Sequence, residues 1–248
     1  MKTRFFYLLT LIIAVIMTMT TTSCQKQDDV VQQRAQNSDI KLKTVVFSDD
    51  NDKVFNVMYT NDVISGFQSV SDVTEITDSA GLIIQKQISG GGLTTTITYQ
   101  YQADSIIKTY KENNQLNLTK IYYLNNNKIA EQRSYSNAGQ LLQTKVFNWD
   151  NNNLQSIQTY QNGQVVQTIT YLYTDDKNPF INVCSDFNER WSGVGIDIAF
   201  YLSSNLPIQC QVSDSGSNST TTFTSVVEEG RLKKIQFDGS DYITFQYE

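Results

Sequence analysis

Two hydrophobic patterns divide the 248 residues. The first is continuous. Phe5 to Met17 (FFYLLTLIIAVIM) is an apolar run behind a short basic head, Lys2 and Arg4, and ahead of a small polar stretch, Thr18 to Ser23. Charge, apolar length and small-residue ending are those of a secretory signal, and the run is shorter than the roughly 20 residues a spanning helix needs. The second pattern is alternating. From Ile40 onward short runs rich in Thr, Val, Ile, Tyr and Phe are broken by Asn, Asp, Gly and Ser, the composition of strands and turns. No window has helical spacing with caps; a short helix is expected only around Ser185 to Arg190.

The alternation repeats. Tyr110, Tyr135 and Tyr160 recur every 25 residues, and each is followed by a turn-forming cluster, Glu112 to Gln115, Asn137 to Gln140 and Asn162 to Gln164. A strand then ends in paired residues, Ile121/Tyr123, Phe147/Trp149 and Tyr171/Tyr173, before a second polar turn such as Asn125 to Asn127 or Asp150 to Asn153. Asn162-Gly163 is a strong hairpin signal, because both residues tolerate positive φ. In the strand Gln164 to Tyr173 the spacing puts Val165, Ile169, Tyr171 and Tyr173 on one side and Thr168 and Thr170 on the other. The expectation is an all-β antiparallel meander of repeated hairpins, a curled sheet or open barrel. Tyr123, Trp149 and Tyr173 should share its apolar face. Asn178 to Gln211 interrupts the repeat with Pro179, Trp191, Gly193, Gly195, Pro207 and two cysteines, and reads as an irregular, disulfide-bearing insert at about 178–211.

Composition removes several functions. There is no histidine, so Ser-His-Asp and Cys-His catalysis and His-containing zinc sites are closed. Losing Lys2 and Arg4 with the signal leaves 17 basic residues against 25 acidic, which repels phosphate backbones and speaks against nucleic acid as a partner. Carboxylate pairs remain available for hydrolysis but cannot be seen in one sequence. No cofactor and no metal site is expected: neither Asp49 to Asp52 nor the turn at Asp150 has calcium-loop spacing. Asp78-Ser79-Ala80 and Asp104-Ser105-Ile106 resemble an O-glycosylation tripeptide. Trp149 and the tyrosines suit either a core or sugar stacking, and Trp191 in the insert is a ligand-binding candidate.

A cysteine directly behind the small residues, Cys24, makes the leader resemble a bacterial lipoprotein signal, which implies cleavage after residue 23 and lipidation of Cys24. The next residues, Gln25, Lys26, Asp28 and Asp29, resemble the surface-export signal of Bacteroidetes lipoproteins; Gln27 departs from it, and a plain polar tether is the alternative. Residues 1–23 are then signal, 24–38 a lipidated tether and 39–248 one β-repeat domain. Cys184 and Cys210, the pair left after lipidation, are expected to form a disulfide, with two buried thiols as the alternative.

Aromatic-x-aromatic strand ends, Asn/Asp turns and a period in the twenties resemble tyrosine-aspartate (YD/RHS-type) repeats. Together with Tyr171 to Phe180 and the leader, the chain is similar to a family of Bacteroidetes lipoproteins of unknown function. That resemblance implies a porin-like β fold and no particular activity. Three functions stay in view. The first is a lipid-anchored, non-catalytic protein of the outer membrane and cell surface of a Gram-negative bacterium, binding an extracellular glycan or protein. The second is a periplasmic carrier holding an apolar ligand in a curled sheet. The third is a carboxylate-dependent hydrolase.

Overall fold

The computed structural model describes residues 41–48, 53–60, 63–79, 82–179, 198–214, 216–239 and 241–248. Seventeen strands lie among them: β1 (Leu42–Ser48), β2 (Lys53–Thr60), β3 (Val63–Gln68), β4 (Asp72–Ser79), β5 (Leu82–Gly90), β6 (Leu93–Tyr101), β7 (Ser105–Glu112), β8 (Gln115–Asn125), β9 (Lys128–Ser136), β10 (Leu141–Asp150), β11 (Asn153–Gln161), β12 (Gln164–Lys177), β13 (Asn205–Asp214), β14 (Asn218–Thr222), β15 (Thr224–Glu228), β16 (Arg231–Gln236) and β17 (Tyr242–Tyr247). One helix, α1 (Ile198–Leu202), precedes β13. The sequence reading missed this helix, and it placed Asn205 to Gln211 of β13 inside the insert, which contains Pro207 and Cys210.

Every strand from β1 to β13 pairs antiparallel with its successor, β15 pairs with β16, β16 with β17, and β17 returns to β1. The sheet is thus a nearly closed barrel, in agreement with the all-β, curled-sheet expectation. Its one seam is at Phe223. There the chain leaves β13, with the Phe223 amide still donating to Ile208 O (2.8 Å), and crosses to β16, where Thr224 opposes Gln236. Phe223 is buried edge-on between Phe200 of α1 and Phe237, at 5.2 and 5.7 Å between ring centroids. Asp238 accepts hydrogen bonds from the Thr222 amide and hydroxyl beside it.

Tight turns make the meander. Asn113-Asn114, Asn126-Asn127, Asn151-Asn152 and Asn162-Gly163 all have positive φ, between 45° and 77°. That is the type I′ geometry whose twist matches the flanking strands, and Asn is the side-chain-bearing residue that adopts it most cheaply.

A second unit recurs where strands begin. In β1, β9, β11 and β16 an aliphatic residue is followed by one bulged residue, so that Leu42/Val45, Ile129/Gln132, Leu154/Ile157 and Leu232/Ile235 all point inward at a spacing of three instead of two. A bulge frees a backbone carbonyl from the ladder. Here each freed carbonyl takes a side-chain donor from a neighbouring strand. Tyr59 OH donates to Leu42 O (2.8 Å), Trp149 Nε1 to Ile129 O (2.7 Å), Tyr173 OH to Leu154 O (2.5 Å) and Tyr247 OH to Leu232 O (2.8 Å). A cation beside the aliphatic residue lies over the same ring in three of them: Lys41 over Tyr59, Lys128 over Trp149 and Arg231 over Tyr247, at 5.3 to 5.9 Å.

The two walls differ in chemistry. The inner wall forms one hydrophobic cluster reaching from Leu42 to Phe245, with Phe67, Tyr122 and Leu154 at 0 to 1% exposure. Two lysines, Lys86 and Lys108, are also fully buried there, Lys108 Nζ lying 4.4 Å from the centre of the Tyr122 ring. The outer wall reads in hydrogen-bonded rows as Gln85, Thr98, Thr109, Thr119, Tyr135, or as Ser156, Thr170, Gln211, Thr220.

One expectation fails here. Phe147, Trp149, Tyr171 and Tyr173 do pack on the core, but Tyr123 and Ile121 do not. Tyr123 opposes Glu131, which opposes Val146, and all three lie on the outer wall; Arg133 covers the Tyr123 ring at 5.0 Å. The inward pair of β8 is Tyr122/Leu124, equivalent to Phe147/Trp149 at the period of 25. A phase error of one residue turns a whole strand over. Val165 likewise points outward, 50% exposed, because a bulge after it shifts the register: Tyr160 opposes Val165, while Thr159 opposes Gln167.

Candidate functional site

The barrel has two unlike rims. The upper rim carries the turns Asn126-Asn127, Asn151-Asn152 and Glu229-Gly230, helix α1, and both ends of the described chain, joined by the hydrogen bond from Glu248 N to Lys41 O (2.9 Å). The lower rim carries Gly91-Gly92, Asn113-Asn114, Asn137 to Gln140 and Asn162-Gly163.

At the upper rim α1 is tied down by polar side chains. Buried Asn178 donates through Nδ2 to Phe200 O (2.6 Å) and Ser203 O (3.0 Å). Buried Ser203 accepts from the Leu154 amide (3.1 Å) and lies 2.9 Å from Tyr173 OH. Asn153 and Asn205 hold each other through paired hydrogen bonds of 2.9 and 3.0 Å. A cleft of about 330 Å³ lies beside this cap, lined by Asn151, Asn153, Gln155, Tyr171 to Asp175 and Asn205. Asn153, Asn205 and the Tyr173 hydroxyl of this lining are engaged in holding the cap.

At the lower rim a cleft of about 460 Å³ opens between the β5–β6 and β7–β8 hairpins, lined by Gln87, Thr94, Thr96, Asn113 and Asn114. Gln87 opposes Thr96 on the outer wall. The two hairpins are joined at its floor, where Asn113 N donates to Thr94 O (2.9 Å) and Thr94 N donates to Asn113 Oδ1 (3.3 Å). The sequence reading did not single these residues out. The alternation of Leu93 to Tyr101 gave Thr94, Thr96 and Thr98 a common face, but the meeting of two hairpins is a tertiary fact.

Charge divides the same rim. The turns from Gly91 to Gly163 named above contain no ionisable residue and are bordered by one acid, Glu112, whereas Asp72, Asp214, Asp238 and Asp241 border the lower turns at 69–72, 214–217 and 237–241. Three of those acids are held in the ionised form. The Lys53 ammonium keeps the Asp72 carboxyl below the usual carboxylate range. The Gly216 and Ser217 amides do so for Asp214, at 3.1 and 2.9 Å, and Thr222 does so for Asp238. A general acid needs the opposite shift.

Of the residues picked out from the sequence, Cys24, Gln25, Lys26, Asp28, Asp29, Cys184 and Trp191 lie outside the described residues, as does the expected helix at Ser185 to Arg190. Cys210 is buried on the inner wall, opposite Tyr171. Trp149 is a core residue at the upper rim, half-buried, with its indole N–H engaged. Ser105 of the second glycosylation-like tripeptide is 4% exposed and donates to Gln102 Oε1 (2.9 Å), a turn contact that keeps it from solvent.

No family model matches the chain, and no curated protein does. Solved structures similar to it include a porin-like protein from Bacteroides uniformis, 15% identical with a TM-score of 0.43 over 84% of this chain and 95% of that one. A porin-like protein from Bacteroides vulgatus is 10% identical with a TM-score of 0.42 over 85% and 99%.

Proposed function

We propose that the chain is a lipid-anchored, non-catalytic β protein of the bacterial envelope, displayed at the cell surface and binding an extracellular glycan or protein on the outside of its barrel. The observation that carries this reading is the polarity of the walls. A barrel that conducts through a membrane is apolar outside and polar inside. This one packs Phe67, Tyr122, Leu154 and Phe245 inside and turns Thr, Gln and Ser outward. The same packing speaks against a carrier, since the lumen is occupied by the protein's own side chains. Asp72, Asp214 and Asp238, held ionised by their partners, do not suit the general-acid role that a hydrolase needs.

The leader and Cys24 supply the anchor, because two or three acyl chains hold a protein where one is marginal. Gln25, Lys26, Asp28 and Asp29 supply the export signal. Both ends of the described chain, at β1 and β17, lie at the upper rim. The hairpin period and aromatic strand ends fit a YD-like repeat, and Cys184 with Cys210 fits a disulfide closing the insert.

Planar-bilayer recording tests the reading: the acylated protein gives no unitary conductance, and stepwise channel openings would overturn it. Cys24→Ala releases the protein from membranes. Changing Lys26, Asp28 and Asp29 together to Ala leaves it acylated but hidden from external protease.

A further inference from the structure

We infer that the cleft between the β5–β6 and β7–β8 hairpins at the lower rim is a binding site for a neutral oligosaccharide; this rests on the proposal that the barrel binds a ligand on its outside. Every residue lining the 460 Å³ cleft is an amide or a hydroxyl: Gln87, Asn113, Asn114, Thr94 and Thr96. Such groups both donate and accept, which is what a hydroxyl-rich ring requires and what a phosphate or carboxylate does not. The volume lies within the roughly 300–1,000 Å³ of small-ligand sites.

Three further features fit that ligand. The cleft is pre-formed, since Asn113 is locked to Thr94 by the two hydrogen bonds across its floor. Nothing lies within 4 Å of where side chains at Gly91 and Gly92 would begin, so the hairpin tip above it leaves room for a chain to pass. Leu116, the second residue of β8, lies in the outer-wall row that runs through Gln87, Thr96 and Lys111, is 38% exposed and offers an apolar patch for the C–H face of a sugar ring.

Charge argues the class. In a protein of net charge −6 none of the residues lining this cleft is ionisable; Lys86 and Glu112 adjoin Gln87 and Asn113 in the chain, and Lys111 opposes Thr96 in register. An anionic polymer would find no cation among the residues that line the cleft. A peptide would lack its usual hold, because β5, β6 and β7 are paired on both sides and present no free edge for strand addition.

The test is calorimetric titration of the full acylated protein in detergent with maltohexaose, cellohexaose, xylohexaose and mannohexaose, and with polygalacturonate as the acidic control. We expect at least one neutral probe to bind, with an affinity unchanged between low and high salt. The double variant Gln87→Leu/Thr96→Val, which keeps side-chain volume on the outer wall, should weaken it about tenfold or more. Single Asn114→Gly, which removes the amide and keeps the positive φ of the turn, should weaken it without altering the fold. Binding of polygalacturonate alone, binding of a peptide in place of saccharide, or no binding of any neutral probe overturns the inference. Saccharide binding that survives both variants overturns this site while leaving the reading of the outer wall intact.

Discussion

Tyr122 and Tyr123 are neighbours in the chain and occupy opposite worlds. Tyr122 is 1% exposed on the inner wall, with Lys108 over its ring. Tyr123 is on the outer wall beneath the Arg133 guanidinium. The same contrast runs around the barrel, and residue type does not decide it. Lysines are buried inside, while Leu141, Leu142 and Val165 are about half exposed outside. What decides it is phase, set by the turns and by the bulge after each leading aliphatic residue. β7 shows the rule by lacking it: Ile106 and Lys108 both face inward with no bulge between them, and β8 offers Leu124 where β10 and β12 offer an N–H or O–H donor. In β1, β9, β11 and β16, where the freed carbonyl belongs to an inward aliphatic residue, bulge and donor come together, because a carbonyl freed from the ladder and left buried is costly.

The walls should separate most sharply in stability. Tyr122→Ala removes a fully buried ring and should cost roughly 3–5 kcal/mol in urea unfolding. Tyr123→Ala should cost under about 1 kcal/mol, the usual range for a surface change. Similar losses for the two would put both on one wall.

A smaller effect probes the bulge. Trp149→Phe keeps a ring but removes the donor to Ile129 O. It should cost about 1–3 kcal/mol, the penalty for a carbonyl left unsatisfied. Leu124→Phe, at the position with no such donor, should stay clearly below that.

The smallest effect is electrostatic. The Lys53 ammonium holds the folded pKa of Asp72 below its unfolded value near 3.9. The pair's contribution is therefore whole above that value and is lost as pH falls through the folded pKa. Both side chains are about a third exposed, so it should amount to less than about 1 kcal/mol and fade in high salt. Acid titration of stability should be shallower below pH 4 for Asp72→Asn than for the parent protein.

Hairpins, Asn turns and the inward faces of β10 and β12 were legible because Phe147-x-Trp149 and Tyr171-x-Tyr173 alternate unambiguously. β8 was not, because Ile121, Tyr122, Tyr123 and Leu124 are four apolar residues in a row: period without phase. Helix α1 has five residues and is held by Asn178 and Ser203, contacts no local pattern announces. The lower-rim cleft was invisible for a related reason. Thr, Gln and Asn carry no chemical signature alone, and Gln87, Thr94 and Asn113 become a site only when hairpins distant in sequence lie side by side.

The claim that the outer wall meets water and the inner wall meets itself is tested most directly by thiol labelling at two adjacent positions. Thr170 is exposed on the outer wall and Tyr171 is 2% exposed on the inner. With the acylated protein held in lipid vesicles, Thr170→Cys should react at once with a membrane-impermeant maleimide, and Tyr171→Cys should react only after denaturation. Protection of position 170 by lipid, with position 171 open to the reagent through a wet lumen, would contradict the account and make the barrel a channel.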